Sequence, residues 1–234
     1  YMSQAYYLNV SRASDLTDPK ERLLYRFFEM LPGLLSFGSL GAIVLFSWLF
    51  PRLVAFFVLG FIIYWLLRTI YFSFHLRSGY KKMREHEKVD WISKLTGIAG
   101  WQDIYHLAVV VMYKESYEIV RECLLSIKLA DYPKDKVIVV LACEERAGVL
   151  AKEIASLLEK EFKDSFFQFL VTWHPAGLPG EIAGKGSNEA WATKKAKENI
   201  VDPLGIPYSH VILTSLDADA VVLPKYFSCL AYHY

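Results

Sequence analysis

Two long apolar stretches in the first third of the chain constrain its fold more than any other feature. Residues 30–50 carry no charged side chain, and residues 53–74 carry one, Arg68. Each stretch is close to the roughly 20 residues that a helix needs to cross a bilayer. Two such runs in succession predict a transmembrane helical hairpin over residues 30–76. A re-entrant or interfacial helix pair remains the alternative, because the turn at Pro51 is tight.

Basic residues on both flanks of this hairpin predict its orientation. Residues 1–29 form a predicted N-terminal arm, and residues 77–104 a charged juxtamembrane connector facing anionic headgroups. The basic residues closest to the hairpin on its two flanks are Lys20, Arg22, Arg26, Arg77, Lys81, Lys82, Arg84 and Lys88, whereas the turn carries only Arg52. Because short cytoplasmic segments are enriched in Lys and Arg, we expect an integral membrane protein with both flanks, and all that follows residue 76, in the cytoplasm.

Charge and cysteine usage argue against a nucleic-acid-binding protein and against a domain held together by disulfides or zinc. The formal net charge is +1, so the chain has no excess of basic charge for a nucleic-acid partner. Its three cysteines, Cys123, Cys143 and Cys229, are scattered and odd in number. This pattern favours reduced thiols over a disulfide framework or a zinc site.

Residues 105–234 alternate between β-branched runs and amphipathic stretches. The pattern predicts strands at 107–113, 137–141, 166–173 and 211–216, with helices at 116–129, 149–162, 187–198 and 225–234. Strands separated by helices of this length are typical of βαβ units and a parallel sheet. The predicted class is therefore α/β, with the helical hairpin placed before the sheet.

The fourth predicted strand ends in two carboxylates, Asp217 and Asp219. Successive side chains of a strand point to opposite faces, so we expect these two side chains to share one face, with small Ala218 between them. The carboxyl ends of parallel strands line the crevice in which ligands bind, and paired carboxylates there suit Mg²⁺ or Mn²⁺. The alternative is a charged strand exit without a metal.

Polar residues also follow the other three predicted strands. Tyr113-Lys114-Glu115 follows the first strand, and Glu144 lies in the loop after the second. A glycine-containing loop after the third strand carries Lys185 just before a predicted helix, where main-chain amides, the helix dipole and a lysine can meet a phosphate. Each of these residues also has a purely structural alternative to a ligand contact: a core position for Tyr113, the first turn of the next helix for Glu115, and a solvent-exposed loop for Lys185.

As a set, these motifs resemble the glycosyltransferases of family 2, whose catalytic domain has the GT-A fold, a Rossmann-like sheet. The resemblance covers roughly residues 105–234. Residues 113–115 are similar to the end of the family's first strand, usually Tyr-Asn-Glu, with Lys114 as a departure. Residues 185–190 resemble the family's segment facing the diphosphate and ribose, and residues 217–219 stand where its D-x-D motif holds the metal and the nucleotide sugar.

The resemblance implies a membrane-bound glycosyltransferase that uses a UDP- or GDP-linked sugar and transfers it to a lipid or glycan acceptor with inversion. By the same resemblance, Asp219 and Asp217 hold Mg²⁺ or Mn²⁺, with Asp217 acting through a metal-bound water or on the ribose. The remaining residues expected to bind the donor are Tyr113, Glu115, Glu144, Lys185 and Asn188.

No acidic residue follows Asp219 in the sequence. The family's general base lies well after the D-x-D motif, so we expect it beyond residue 234. We therefore expect residues 1–234 to be the membrane anchor and donor-binding half of a longer enzyme, without turnover of their own. Two other functions stay open: a nucleotidyltransferase with a similar sheet, and a non-catalytic membrane scaffold that binds a nucleotide.

Overall fold

The structure, a computed structural model, describes residues 10, 12–178 and 181–234. The chain divides into two compact units, one ending at Lys88 and one beginning at Val89. The helices are α1 (Pro19–Leu49), α2 (Pro51–His86), α3 (Trp91–Leu95), α4 (Tyr117–Leu129), α5 (Val149–Phe162), α6 (Lys185–Ala196) and α7 (Tyr226–His233). The strands are β1 (Tyr105–Met112), β2 (Val137–Glu144), β3 (Gln168–His174) and β4 (Val211–Asp217).

The first unit is built on two long apolar helices joined through a single residue, Phe50. The Asp18 carboxylate caps α1 by accepting a hydrogen bond from the Lys20 amide at 2.9 Å, and α2 begins at Pro51. A proline suits a first helical position because its missing N–H has no partner there anyway. With 31 and 36 residues, both helices are long and apolar enough to cross a membrane. This confirms the prediction of two long apolar helices.

Both helices extend past the predicted apolar segment. α1 begins at Pro19, within the predicted arm, and α2 ends at His86, within the predicted connector. The charged end of α2 stays helical because its Lys, Arg and Glu residues favour helices and pair along the surface, as Lys81 does with Glu85 at 3.8 Å. The four predicted domain limits stay predictions.

Hydroxyl side chains within the apolar helices bind the helix backbone. Ser47 donates to the carbonyl oxygen of Val44 at 2.7 Å, and Thr69 donates to that of Trp65 at 2.8 Å. A hydroxyl that has such a partner can enter a hydrocarbon environment without losing a hydrogen bond. These polar residues are therefore compatible with a membrane-spanning role.

The second unit contains a four-stranded parallel sheet in the order β3-β2-β1-β4. This confirms the predicted α/β class with a parallel sheet. β1 is central and pairs with β2 on one side and β4 on the other, with Val111 opposite both Ala142 and Asp217. Its side chains are buried on both faces, as expected for a strand that reads as a continuous apolar run.

Helices cover both faces of the sheet. On one face, α4 and α5 bury residues such as Leu124 and Leu158 against β1 and β2, and α7 adds Phe227. On the other face, α6 buries Ala192 and Ala196. The chain thus proceeds outward from β1 to β2 and β3, and then returns through α6 to β4 on the opposite side of β1. The strand order therefore reverses between β1 and β4.

β2 is longer than predicted. It runs to Glu144, whereas the sequence pattern predicted its end at residue 141. Ala142 and Cys143 are fully buried and continue the parallel pairing with both β1 and β3. The low intrinsic preference of alanine for strands is overridden at Ala142 by its place in the middle of the sheet.

The core contains one fully buried histidine, His106 in β1, among the residues that the structure describes. Its ring lies edge-on to Tyr132, with 4.5 Å between ring centroids, and 4.8 Å from Phe227. Burial lowers the pKa of His106 from 6.5 to about 4. The folded protein therefore holds a neutral imidazole over a pH range in which the unfolded chain takes up a proton.

We predict that His106 makes the second unit less stable in mild acid. Its contribution is fully present above pH 6.5 and is lost as the pH falls toward 4, with a limit on the order of 3 kcal/mol. In His106→Phe, the free energy of unfolding from denaturant titration in micelles should depend less on pH between 6.5 and 4.5. His210→Gln is the matched control and should keep the wild-type slope; equal slopes for both variants would contradict the prediction.

Candidate functional site

The candidate site lies at the carboxyl ends of the parallel strands, where β1 and β4 lie side by side. Neighbouring strands whose connections leave in opposite directions open a crevice at this edge, which is the usual ligand position in open α/β sheets. A cavity of about 480 Å³ occupies this position. Its lining residues are Val111, Tyr113, Glu115, Ile119, Glu144, Arg146, Lys185, Asp217, Ala218 and Asp219.

Six of the seven predicted site residues line this one cavity. They come from three strand ends and the start of a helix: Tyr113, Glu115, Glu144, Lys185, Asp217 and Asp219. The sequence placed them on separate loops, and the parallel pairing of the strands brings them together. Asn188, the seventh, is not a lining residue.

The two aspartates reach the cavity by a different route from the predicted one. β4 ends at Asp217, and Asp219 lies in a turn in which the Ala220 amide donates to the Asp217 carbonyl at 3.0 Å. The strand alternation used in the sequence argument therefore stops before Asp219. Ala218 is buried against the core, with only 3% of its surface exposed, and this leaves both carboxylates exposed at the cavity.

Lys185 is the first residue of α6 and contacts the first aspartate of this motif. Its ammonium lies 2.5 Å from an oxygen of Asp217 and 3.5 Å from one of Glu189. The hydrogen bond to Asp217 raises the pKa of Lys185, so the ammonium stays charged at neutral pH. The Ser187 hydroxyl caps the start of the helix by accepting from the Gly184 amide at 3.1 Å.

Glu115 closes the end of β1. Its carboxylate accepts hydrogen bonds from the amides of Tyr113 at 2.6 Å and Lys114 at 3.1 Å. The alternative that Glu115 belongs to the first turn of the next helix is wrong, because α4 begins at Tyr117 and Glu115 folds back onto the strand end. This contact fixes the main chain that presents Tyr113 to the cavity.

Glu144 and Arg146 form an ion pair beside Tyr113. The Glu144 side chain is only 4% exposed, and its carboxylate accepts a hydrogen bond from the Arg146 guanidinium. That guanidinium also lies over the Tyr113 ring, 4.8 Å from its centroid. Arg146 was not predicted as a site residue from the sequence, although its place two residues after Glu144 could have indicated it.

Asn188 lies in the first turn of α6, and its side chain is completely buried. Its side-chain amide donates to the carbonyl oxygen of Ala142 in β2 at 2.9 Å, while its own carbonyl oxygen has no partner among the described residues. The bond links the first turns of α6 to the carboxyl end of β2. Asn188 is thus placed to hold Lys185 over the cavity, and its predicted contact with a donor stays a prediction.

The balance of charge around the cavity is negative. The cavity is lined by four carboxylates and two basic side chains. The negative charge also contributes to the raised pKa values of two buried thiols. Burial, with a smaller contribution from the charge of Asp219, raises the pKa of Cys123 to about 12. Burial and the charge of Glu115 do the same for Cys143. Both thiols stay protonated and are unsuited to act as nucleophiles.

The oxygen ligands of the cavity fit a hard divalent cation. Such ions bind carboxylates and keep several waters, which an open cavity permits. Asp219 is exposed and makes no ion pair within the described part of the chain, so its oxygens are available. Asp217 is the second possible ligand, and its pairing with Lys185 indicates that this position already attracts a cation.

Comparison with known proteins assigns no family. No protein-family model matches the chain, and no curated protein matches it.

We predict that removing the Asn188 amide destabilises the fold more than it alters a ligand contact. Asn188→Ala should lower the free energy of unfolding by about 1 to 3 kcal/mol, because the buried carbonyl of Ala142 loses a donor. Asn199→Ala, at an exposed position after α6, is the matched control and should stay near wild type. Unchanged stability combined with weaker nucleotide binding would instead favour a direct ligand contact.

Proposed function

We propose that this chain carries the donor site of a membrane-bound glycosyltransferase that uses a nucleotide-diphosphate sugar and Mg²⁺ or Mn²⁺. The supporting observation is that the D-x-D carboxylates, Lys185, Tyr113 and Glu144 line one cavity at the point where the strand order reverses. A cavity of about 480 Å³ is also within the usual range for small-molecule sites. A Rossmann-like GT-A fold is compatible with the observed sheet and belongs to this proposal.

The D-x-D end of the cavity would receive the diphosphate. Asp219 would ligate the metal, and Asp217 would bind it directly or through a water. A bound divalent cation offsets the negative charge that develops on the diphosphate when the glycosidic bond breaks. Lys185 would add a positive charge next to the diphosphate. The N-terminus of α6, where Lys185 lies, would add the positive end of the helix dipole.

The opposite end of the cavity would hold the nucleoside. Tyr113 offers an aromatic face, and Glu144 is a buried carboxylate that can accept an N–H. Uracil and guanine both present a ring N–H beside a carbonyl oxygen, which a carboxylate with an adjacent guanidinium complements. Arg146 would supply that guanidinium once it turns from Tyr113 toward the base.

The two apolar helices would keep this site near the membrane. A lipid or a growing glycan at the bilayer surface is the proposed acceptor, and the distribution of Lys and Arg supports a cytoplasmic orientation. The residues that line the cavity would serve donor binding.

We predict metal-dependent nucleotide binding that needs Asp219. In calorimetric titrations with UDP and with GDP, one of the two should bind in the presence of Mn²⁺, and Asp219→Ala should weaken that binding at least about tenfold. Asp164→Asn, which changes an exposed carboxylate after α5, is the control and should bind like wild type. Equal binding with and without Mn²⁺, or an unaffected Asp219→Ala variant, would contradict the proposal.

A separate prediction concerns orientation in the membrane. A cysteine introduced at Arg52, in the first turn of α2, should react with a membrane-impermeant maleimide only from the non-cytoplasmic side. A cysteine at Lys81, near the end of α2, should react only from the cytoplasmic side. The chain without an introduced cysteine gives the background, because Cys123 and Cys143 are buried whereas Cys229 is partly exposed and can react itself. Labelling of both positions from one side would instead support an interfacial helix pair.

A further inference from the structure

A side chain of the protein already holds one half of the D-x-D motif. The Lys185 ammonium lies 2.5 Å from an Asp217 oxygen, and its contact with Glu189 is longer, at 3.5 Å. In contrast, the side chain of Asp219 forms neither a hydrogen bond nor an ion pair with any residue that the structure describes. The two aspartates therefore differ in availability, although both line the cavity.

This ion pair can exchange partners. Half of the Lys185 side chain and 63% of that of Asp217 are exposed, and exposed ion pairs are weak. The lysine is anchored at the first position of α6, while its flexible four-carbon stem lets the ammonium move without the helix. A diphosphate near the start of α6 offers more negative charge than one carboxylate.

We propose that Lys185 acts as an internal counter-ion for Asp217, so that the cavity takes a divalent cation together with a diphosphate rather than the cation alone. This inference rests on the proposed function. Without a diphosphate, the ammonium neutralises Asp217 and leaves Asp219 as the single free carboxylate of the motif. When a diphosphate draws the ammonium away, both carboxylates face the cation, and each ligand strengthens the binding of the other.

The second basic residue of the cavity has a different partner. Arg146 pairs with buried Glu144 and lies over Tyr113. Within the described chain, Lys185 is the one side chain in an ion pair with the D-x-D motif. Coupling between cation and diphosphate is therefore assigned to Lys185, and the nucleoside end should contribute little to it.

The test measures Mn²⁺ directly, by the electron paramagnetic resonance signal of the free ion, on the complete chain in micelles with and without UDP or GDP. Lys185→Met should bind Mn²⁺ alone about twofold to fivefold more tightly than wild type, as expected from releasing an exposed ion pair. The same variant should show a smaller gain in Mn²⁺ affinity when the nucleotide is added. Lys185→Arg keeps the charge and should retain the weak binding of Mn²⁺ alone.

Lys114→Met is the matched control, because it removes one lysine charge near the cavity without touching the D-x-D motif. If Lys185→Met and Lys114→Met give the same Mn²⁺ affinity and the same nucleotide effect, Lys185 is not the counter-ion and the inference is overturned. The proposed function would still stand if Asp219→Ala removes Mn²⁺ binding in the presence of nucleotide. Mn²⁺ binding that ignores Asp219 under all conditions would overturn both.

Discussion

The pairing of β1 with β2 on one side and β4 on the other is the constraint on which the candidate site depends. Parallel pairing places all carboxyl ends at one edge of the sheet, and the return of the chain to β4 puts two connections that diverge next to each other. Val111 lies opposite Asp217 in this register. A shift of β4 by one residue would exchange the faces of its side chains and move the carboxylate away from the cavity.

Two of the four carboxylates in the cavity each form an ion pair with a nearby basic side chain. Glu144 is buried and is compensated by Arg146, whereas Asp217 is exposed and is compensated by Lys185. A buried carboxylate without such a partner would be strongly destabilising, so the Arg146 contact allows Glu144 to lie at a buried strand end. The exposed pair carries no comparable penalty. The cavity therefore combines a buried ion pair at Glu144 with an exposed ion pair at Asp217.

Some residues around this cavity also hold the surrounding main chain in place. Glu115 binds two main-chain amides at the end of β1 and still faces the cavity, and Asn188 ties the start of α6 to β2. The Asn188 contact helps to keep the first turn of α6 in place. In the first unit, the hydroxyls of Ser47 and Thr69 bind the backbone of their own helix, which is compatible with a hydrocarbon environment.

The sequence by itself determined the two apolar helices, the alternation of strands and helices, and six residues that line the cavity. These features are encoded locally, by the length of apolar runs, by periodicity and by polar residues at strand ends. It did not determine the end of β2, the turn that carries Asp219, the partnership of Arg146 with Glu144, or the burial of Asn188. Those depend on contacts between segments far apart in the chain: pairing with two neighbours extends β2 through weak strand formers, and the packing of α6 on β2 buries Asn188. The occupation of Asp217 by Lys185 is of the same kind, because only the folded sheet brings β4 and α6 together.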